Sequence, residues 1–265
     1  MLQTVTTNPI IVGTVTIGGP QITVIGGPCS VETADQIQTC AREIKQCGGQ
    51  LLRGGAFKPR TSPHDFQGLG LAGLELLLAA GREQHLPIVT ELLDVRLLDT
   101  YLSLGVDMIQ VGSRNMQNFE LLKALGQVRV PVLLKRGMAA TIKEWLLAAE
   151  YIIAGGNEQI VLCERGVRSF EPSYRNLLDI TAIPYLKQTT RFPVIVDPSH
   201  ASGHAFLVNS LAKAAIAAGA DGLLIEAHPE PTTAWSDAQQ ALSLPAFAEL
   251  LKELTPIATA VNRNM

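Results

Sequence analysis

The chain has 265 residues, 47% of them apolar and 17% charged, with a formal net charge of −3. Such a length buries one sizeable core, the slight negative balance offers no global field for nucleic acid, and no apolar run reaches the roughly 18 residues of a membrane span. The opening MLQTVTTNP lacks the basic and apolar regions of a secretory signal, so a soluble cytoplasmic protein with neither nucleic-acid nor membrane partners is expected. Cys29, Cys40, Cys47 and Cys163 are too few for a disulfide framework.

In chain order, IIVGTVTI, GGPQ and ITVIGG read as a hairpin leading into a first strand, with residues 1–21 an N-terminal extension placed to plug a barrel floor. Eight runs rich in Val, Ile and Leu follow one another: ITVIGG from Ile22, QLLRGG from Gln50, PIVTE from Pro87, MIQVGS from Met108, PVLLKRG from Pro131, QIVLCERG from Gln159, PVIVDPS from Pro193 and GLLIEAHP from Gly222. After each come polar or Gly/Pro residues and then an amphipathic stretch of about ten or more residues. Near-continuous apolar strands suit a parallel sheet covered on both faces. Eight β–α units in about 250 residues match an α/β fold closed as a (β/α)8 TIM barrel, a single catalytic domain over 1–265. An open doubly wound sheet is the alternative, but its GxGxxG fingerprint after the first strand is missing. No linker divides the chain, and no separate regulatory domain is expected.

Active sites of such barrels lie at the C-terminal ends of the strands. Those ends carry, in strand order, Cys29; Arg53 with Lys58 and Arg60; Glu91; Ser113 and Arg114; Lys135 and Arg136; Glu164, Arg165 and Arg168; Asp197 and His200; Glu226, His228 and Asp237. Cys29, His200, Glu226 and Asp237 come from loops after strands one, seven and eight, which are neighbours once a barrel closes. A thiolate, an imidazole and two carboxylates suit one divalent transition metal ion (Mn, Fe, Zn or Co) better than magnesium or calcium. Taken singly, each has a plainer reading as a buried thiol, a helix cap or a solvated acid. The Arg and Lys residues of the same ends concentrate positive potential where a small polyanion would bind, and arginine forks grip carboxylate and phosphate in pairs of hydrogen bonds. Solvated surface charges are the alternative for any one of them, and they leave the clustering unexplained.

The motifs GPCSVE (27–32), KPRTSP with FQGLG (58–70), VGSRNMQN (111–118), KRG (135–137), LCERG (162–166), DPSHASG (197–203) and IEAHPEP with SDAQQ (225–240) resemble, in order from Gly27 onward, the 3-deoxy-D-arabino-heptulosonate 7-phosphate (DAHP) synthases. The resemblance is to the compact type I branch related to the 3-deoxy-octulosonate 8-phosphate synthases. It implies a condensation of phosphoenolpyruvate with erythrose 4-phosphate and water that releases phosphate, the first step of the shikimate route to aromatic amino acids. It also places the metal donors at Cys29, His200, Glu226 and Asp237, and phosphoenolpyruvate contacts at Arg53, Lys58, Arg114, Lys135 and Arg165, with Glu91 and the Ser113 backbone close by. Arg60 and Thr61 match the erythrose 4-phosphate contacts. The octulosonate relatives typically carry an Asn-Arg pair where this chain has Pro-Arg-Thr, which argues for the four-carbon aldose. His64-Asp65 and Ala227 depart from the family pattern without touching a named role.

Lys58, between the two substrate sites, is the candidate proton donor to the developing alkoxide, and Asp197 is placed to orient the donors or hold water. A homo-oligomer, dimer or tetramer, is expected. Without an appended effector domain, insensitivity to aromatic amino acids, chorismate and prephenate is expected too. Two other functions fit the same residues: a Schiff-base aldolase with Lys135 as nucleophile, and a phosphosugar-binding barrel without catalysis.

Overall fold

A computed structural model describes residues 5–265; the first four residues of the N-terminal extension lie outside the described residues. Strands β1 (Ile10–Val12) and β2 (Val15–Ile17) pair antiparallel, with Ile10 opposite Ile17. Both lie within IIVGTVTI and turn at Gly13-Thr14, so GGPQ links the hairpin to the barrel instead of forming its bend. A two-residue loop with glycine at positive φ closes a tighter hairpin than the longer segment allows.

The barrel strands are β3 (Thr23–Gly27), β4 (Leu51–Arg53), β5 (Ile88–Glu91), β6 (Met108–Val111), β7 (Val132–Lys135), β8 (Ile160–Glu164), β9 (Val194–Val196) and β10 (Gly222–His228). Each pairs parallel with the next, and β10 closes the ring by pairing with both β9 and β3, Gly222 standing opposite Ile195 and Thr23. Closure excludes the doubly wound alternative. A two-residue strand, β11 (Leu242–Ser243), adds to the end of β10.

Helices α1 (Ala34–Gln46), α2 (Leu71–Glu83), α3 (Leu98–Leu104), α4 (Phe119–Gly126), α5 (Ile142–Ala154), α6 (Ala182–Thr189), α7 (Pro198–Ser202), α8 (Ala205–Ala217) and α9 (Leu244–Ala260) follow the strands in turn, with both α7 and α8 between β9 and β10. α5 shows the local logic. Thr141 and Glu144 form a reciprocal capping box at its start, and Trp145, Ala148, Ala149 and Ile152 recur at i, i+3, i+4 and i+7 on its buried face. The Trp145 indole donates to the Leu134 carbonyl at 3.1 Å, which fixes the helix against β7. Among the described residues no helix is long and apolar enough to cross a membrane.

Side chains alternate across the barrel wall with the two-residue period of a strand. Ile25, Leu51, Val89, Met108, Leu133, Val161, Ile195 and Leu224 form an inner core, and the hairpin closes it from below with Ile10, Val12 and Ile17. Their strand neighbours, among them Val24, Leu52, Ile109, Val132, Leu134 and Val196, face the helices instead. Two residues above each of six inner apolar side chains the wall turns polar: Arg53 above Leu51, Glu91 above Val89, Gln110 above Met108, Lys135 above Leu133, Asp197 above Ile195 and Glu226 above Leu224. The hairpin therefore seals the floor, and the polar layer forms the mouth.

Candidate active site

The mouth holds a cavity of about 230 Å³ lined by Arg53, Lys58, Arg60, Thr61, Glu91, Ser113, Arg114, Lys135, Arg165, His200 and Asp237. Cys29, Asp197 and Glu226 lie buried next to it. Every residue given an individual role in substrate binding, metal binding or proton transfer thus lies at one end of the barrel. Two glycines permit the close approach. A Cβ on Gly27 would meet the Arg53 carbonyl oxygen at 2.0 Å, and one on Gly112 would meet Glu91 Oε1 at 1.9 Å.

Two of the strand-end cations turn elsewhere. Arg136 follows the inward-facing Lys135, so strand parity sends it outward, where its Nη1 donates to Glu164 Oε2 and Asp179 Oδ2, each at 2.9 Å. Arg168 is exposed and lines a separate cavity with Ser113, Met116 and Met138.

Donor atoms of Cys29, His200, Glu226 and Asp237 all lie within 4.8 Å of one another. Cys29 Sγ donates to Asp237 Oδ2 at 3.0 Å, and His200 Nε2 lies 3.2 Å from Glu226 Oε1. The other imidazole nitrogen, Nδ1, meets Asp197 Oδ2 at 2.7 Å, and the same carboxylate caps α7 by accepting the His200 backbone N–H at 2.9 Å. Metal–ligand bonds of about 2.0–2.3 Å place the donors of one ion within roughly 4.5 Å of one another. The four residues therefore fit a single transition-metal ion with one soft and three harder donors.

A family model described as the DAHP synthetase I family matches residues 3–260. The chain belongs to that family. Over 252 residues it is 48% identical to phospho-2-dehydro-3-deoxyheptonate aldolase of Thermotoga maritima, covering 94% of this chain and 73% of the relative. The crystal structure of the Thermotoga maritima DAHP synthase superposes with a TM-score of 0.94 at 46% identity, covering 97% of this chain and 75% of that one. More distant is 2-dehydro-3-deoxyphosphooctonate aldolase of Syntrophobacter fumaroxidans, 31% identical over 261 residues, which cover 91% of this chain and 89% of the relative.

The charges in this DAHP synthetase I family site are unevenly matched. Arg53 Nη1 donates to Glu226 Oε1 at 2.8 Å, and Lys135 Nζ meets Asp197 Oδ2 at 2.5 Å. Arg165, only 3% exposed, donates to the backbone carbonyls of His200 and Gly166 and has no carboxylate within ion-pair distance among the described residues. Burial pushes its pKa down, outweighing the pull of Asp197. Arg53 Nε is buried without a partner. A buried cation and a buried donor left unmatched are costly unless an anion arrives to pair with them.

Burial, reinforced by the Glu226 charge, pushes the Cys29 thiol up to about 12. It lowers the His200 pKa, more than Asp197 and Glu226 raise it. For the three carboxyls burial pulls upward and loses: His200 and Lys135 hold Asp197 well below its usual range, His200 and Arg53 hold Glu226 down, and His200 and Arg175 do the same for Asp237.

Several partners escape the sequence reading. Gln240 Nε2 donates to Glu226 Oε2 at 2.5 Å, and Ser236 Oγ lies 3.0 Å from Cys29 Sγ. Arg175 lines the cavity and donates from Nη1 to Gln240 Oε1 at 2.9 Å and to Asp237 Oδ1 at 3.4 Å. Gln110 was discoverable, because it stands two residues above Met108 on the inner face. Arg175 was not, since it sits in the irregular stretch between β8 and α6 where no period applies.

Proposed function

We propose that the protein is a metal-dependent 3-deoxy-7-phosphoheptulonate synthase, a transferase that condenses phosphoenolpyruvate with erythrose 4-phosphate and water to give DAHP and phosphate. In this reading residues 1–265 act as one catalytic domain of a cytoplasmic homo-oligomer at the entry to the shikimate pathway. The observation that carries it is the unmatched buried cation Arg165, lodged with Arg53, Lys135 and Arg114 beside a four-donor metal cluster. A pocket built this way needs a substrate with more than one anionic group, and phosphoenolpyruvate brings a carboxylate and a phosphate.

Arg53, Arg114, Lys135 and Arg165 hold phosphoenolpyruvate, and Arg60 with Thr61 holds the aldose phosphate, so that the enol C3 faces the aldehyde carbon. Fixing two anions in reacting orientation removes much of the entropic barrier. As the C3–C1 bond forms, the aldehyde oxygen becomes an alkoxide and takes a proton from Lys58, whose Nζ lies 2.9 Å from Cys29 Sγ at the inner end of the cavity. Positive character left at C2 is captured by the oxygen of water, which gives up one proton that restores Lys58; the C2 hydroxyl then gives up its second proton as C2=O forms, and the C2–O bond breaks with its electron pair leaving on phosphate, which takes up that proton. Cys29, His200, Glu226 and Asp237 would hold the divalent ion, Mn, Fe, Zn or Co, whose Lewis acidity favours the aldehyde oxygen's developing charge or the acidity of water. Asp197 holds the His200 ring in place through Nδ1 and so fixes which nitrogen faces the donor cluster.

The Lys135 amine is engaged by Asp197, which argues against a Schiff-base nucleophile at that position. The test is phosphate release from phosphoenolpyruvate offered with four- or five-carbon aldose phosphates, before and after EDTA. Release with erythrose 4-phosphate, lost to chelator and restored by a divalent transition metal, is expected. Preference for the five-carbon aldose, or covalent trapping by borohydride with activity surviving EDTA, overturns the proposal.

A further inference from the structure

We propose that Glu32 is a positioning residue for the metal donors: its single carboxylate fastens together the three chain segments that carry Cys29, Glu226 and Asp237. This inference rests on the reading of those residues as metal donors. Glu32 lies three residues beyond Cys29, is 7% exposed, and uses both oxygens as acceptors. Oε1 accepts from the Ser30 hydroxyl at 3.2 Å and from the Trp235 backbone N–H at 2.9 Å. Oε2 lies 3.3 Å from His228 Nε2. The His228 ring has only one way to satisfy this pattern. Its Nδ1 accepts the Glu230 backbone N–H at 3.0 Å, so the proton sits on Nε2 and is donated to Glu32.

The spacing makes the arrangement mechanical. His228 stands two residues after Glu226, and Trp235 two residues before Asp237. Glu32 makes no hydrogen bond to any of the four donors among the described residues, so it acts on them through the backbone. The segment that needs such an anchor is the one delivering Asp237. Between β10 and β11 the chain forms only two three-residue 3-10 turns, and Asp237 sits at φ +52°, in the left-handed region. A non-glycine residue there persists only where its surroundings hold it. The same anchor reaches the aldose side. The Trp235 ring meets Phe66 edge-on at 5.0 Å, the Phe66 carbonyl accepts from Arg60 Nε at 3.0 Å, and Arg60 Nη2 also donates to the Ser236 hydroxyl.

Removing the carboxylate loosens the mounting of three donors at once and frees the Asp237 segment. Loss of a partner that orients metal ligands typically costs 10–100-fold in metal affinity. The experiment titrates metal-free wild type, Glu32→Gln and Glu32→Ala with Mn2+ for affinity and with Co2+ for the cobalt–thiolate absorption that reports Cys29. Thermal melts of the metal-free proteins run alongside. In Glu32→Gln the side-chain amide oxygen can still accept from Trp235 and Ser30, but the amide NH2 faces the His228 donor. About a tenfold loss is therefore expected for Glu32→Gln and a 10–100-fold loss for Glu32→Ala, with the thiolate band altered in both. Variants that bind both ions as wild type does, with an unchanged band, overturn the proposal even if they melt lower. Should Glu32→Ala fail to fold, Glu32→Gln decides alone. A wild type that takes up no ion overturns the donor reading itself, a result distinct from variants that match a metal-binding wild type.

Discussion

Lys58 Nζ donates to both the sulfur and the carbonyl oxygen of Cys29, at 2.9 and 3.0 Å, while the Cys29 thiol itself donates to Asp237. The sulfur therefore carries its proton, consistent with a thiol pushed up to about 12 by burial and the Glu226 charge. A metal is bound by the thiolate, so loading must displace that proton. Burial lowers the His200 pKa from its ordinary value, and Glu226 and Asp237 are held low, so above neutral pH the thiol is the donor left to deprotonate. About one proton per ion should be released, and apparent metal affinity should rise about tenfold per pH unit between roughly pH 7 and 8. Competition titrations at three pH values, with pH-stat counting of protons, check it; a pH-independent affinity counts against Cys29 as donor.

Lys135 and Arg136 are adjacent in sequence and separated by the barrel wall, so their removal should fail in different ways. Lys135→Met takes a cation from the cavity, while the buried Asp197 it leaves keeps the His200 ring and backbone N–H as partners; kcat/KM should fall steeply, by about 100-fold or more for a lost charge-assisted contact of roughly 3 kcal/mol. Arg136→Met leaves the cavity lining intact but strands Glu164, whose side chain is 0% exposed. Breaking a buried pair from one side costs about 3–5 kcal/mol, so this variant should unfold at much lower urea while its KM for phosphoenolpyruvate holds. Equal kinetic damage from both substitutions contradicts the parity assignment.

That pair also shows what the sequence made legible. Eight apolar runs were enough to read a closed barrel, and the strand ends were enough to single out the four residues whose donor atoms cluster within 4.8 Å and most of the cations that line the cavity. Counting by two from the inner apolar residues separates Lys135 from Arg136 without coordinates, since Leu133 and Lys135 share a face. Past the strands the period is lost. Arg175, Ser236 and Gln240 lie in irregular loops, and their approach to Asp237, Cys29 and Glu226 depends on contacts between positions 62 residues apart for Arg175 and 207 residues apart for Ser236. Likewise the hairpin was visible in its β-branched residues, but Gly13 within IIVGTVTI and Gly18 in the following GGPQ both take positive φ, so glycine alone does not mark which of them bends the hairpin.

Arg60 tests the division of the cavity between two substrates. Its Nε is engaged by the Phe66 carbonyl and its Nη2 by Ser236, which leaves the rest of the fork to an incoming phosphate. Arg60→Ala should raise the KM for erythrose 4-phosphate by a factor equivalent to about 2–3 kcal/mol, roughly 30- to 150-fold, with a much smaller change for phosphoenolpyruvate. Steady-state kinetics with each substrate varied at saturation of the other gives the answer. Michaelis constants that move together contradict separate subsites.

Ile17 lies at the opposite end of the barrel from all of this chemistry. It is 0% exposed, pairs with Ile10 across the hairpin, and packs under the inner layer that includes Leu133 and Leu224. Truncation to alanine removes buried methyl groups and leaves a void that a rigid ring of strands cannot collapse, which costs about 2–5 kcal/mol. The mouth, separated from the floor by the inner apolar layer, should keep its geometry. Ile17→Ala is therefore expected to shift the urea midpoint strongly downward while both Michaelis constants and metal affinity stay within about twofold of wild type. If metal affinity falls in step with stability, the floor and the mouth are coupled, and the hairpin is part of the active-site scaffold as well as its seal.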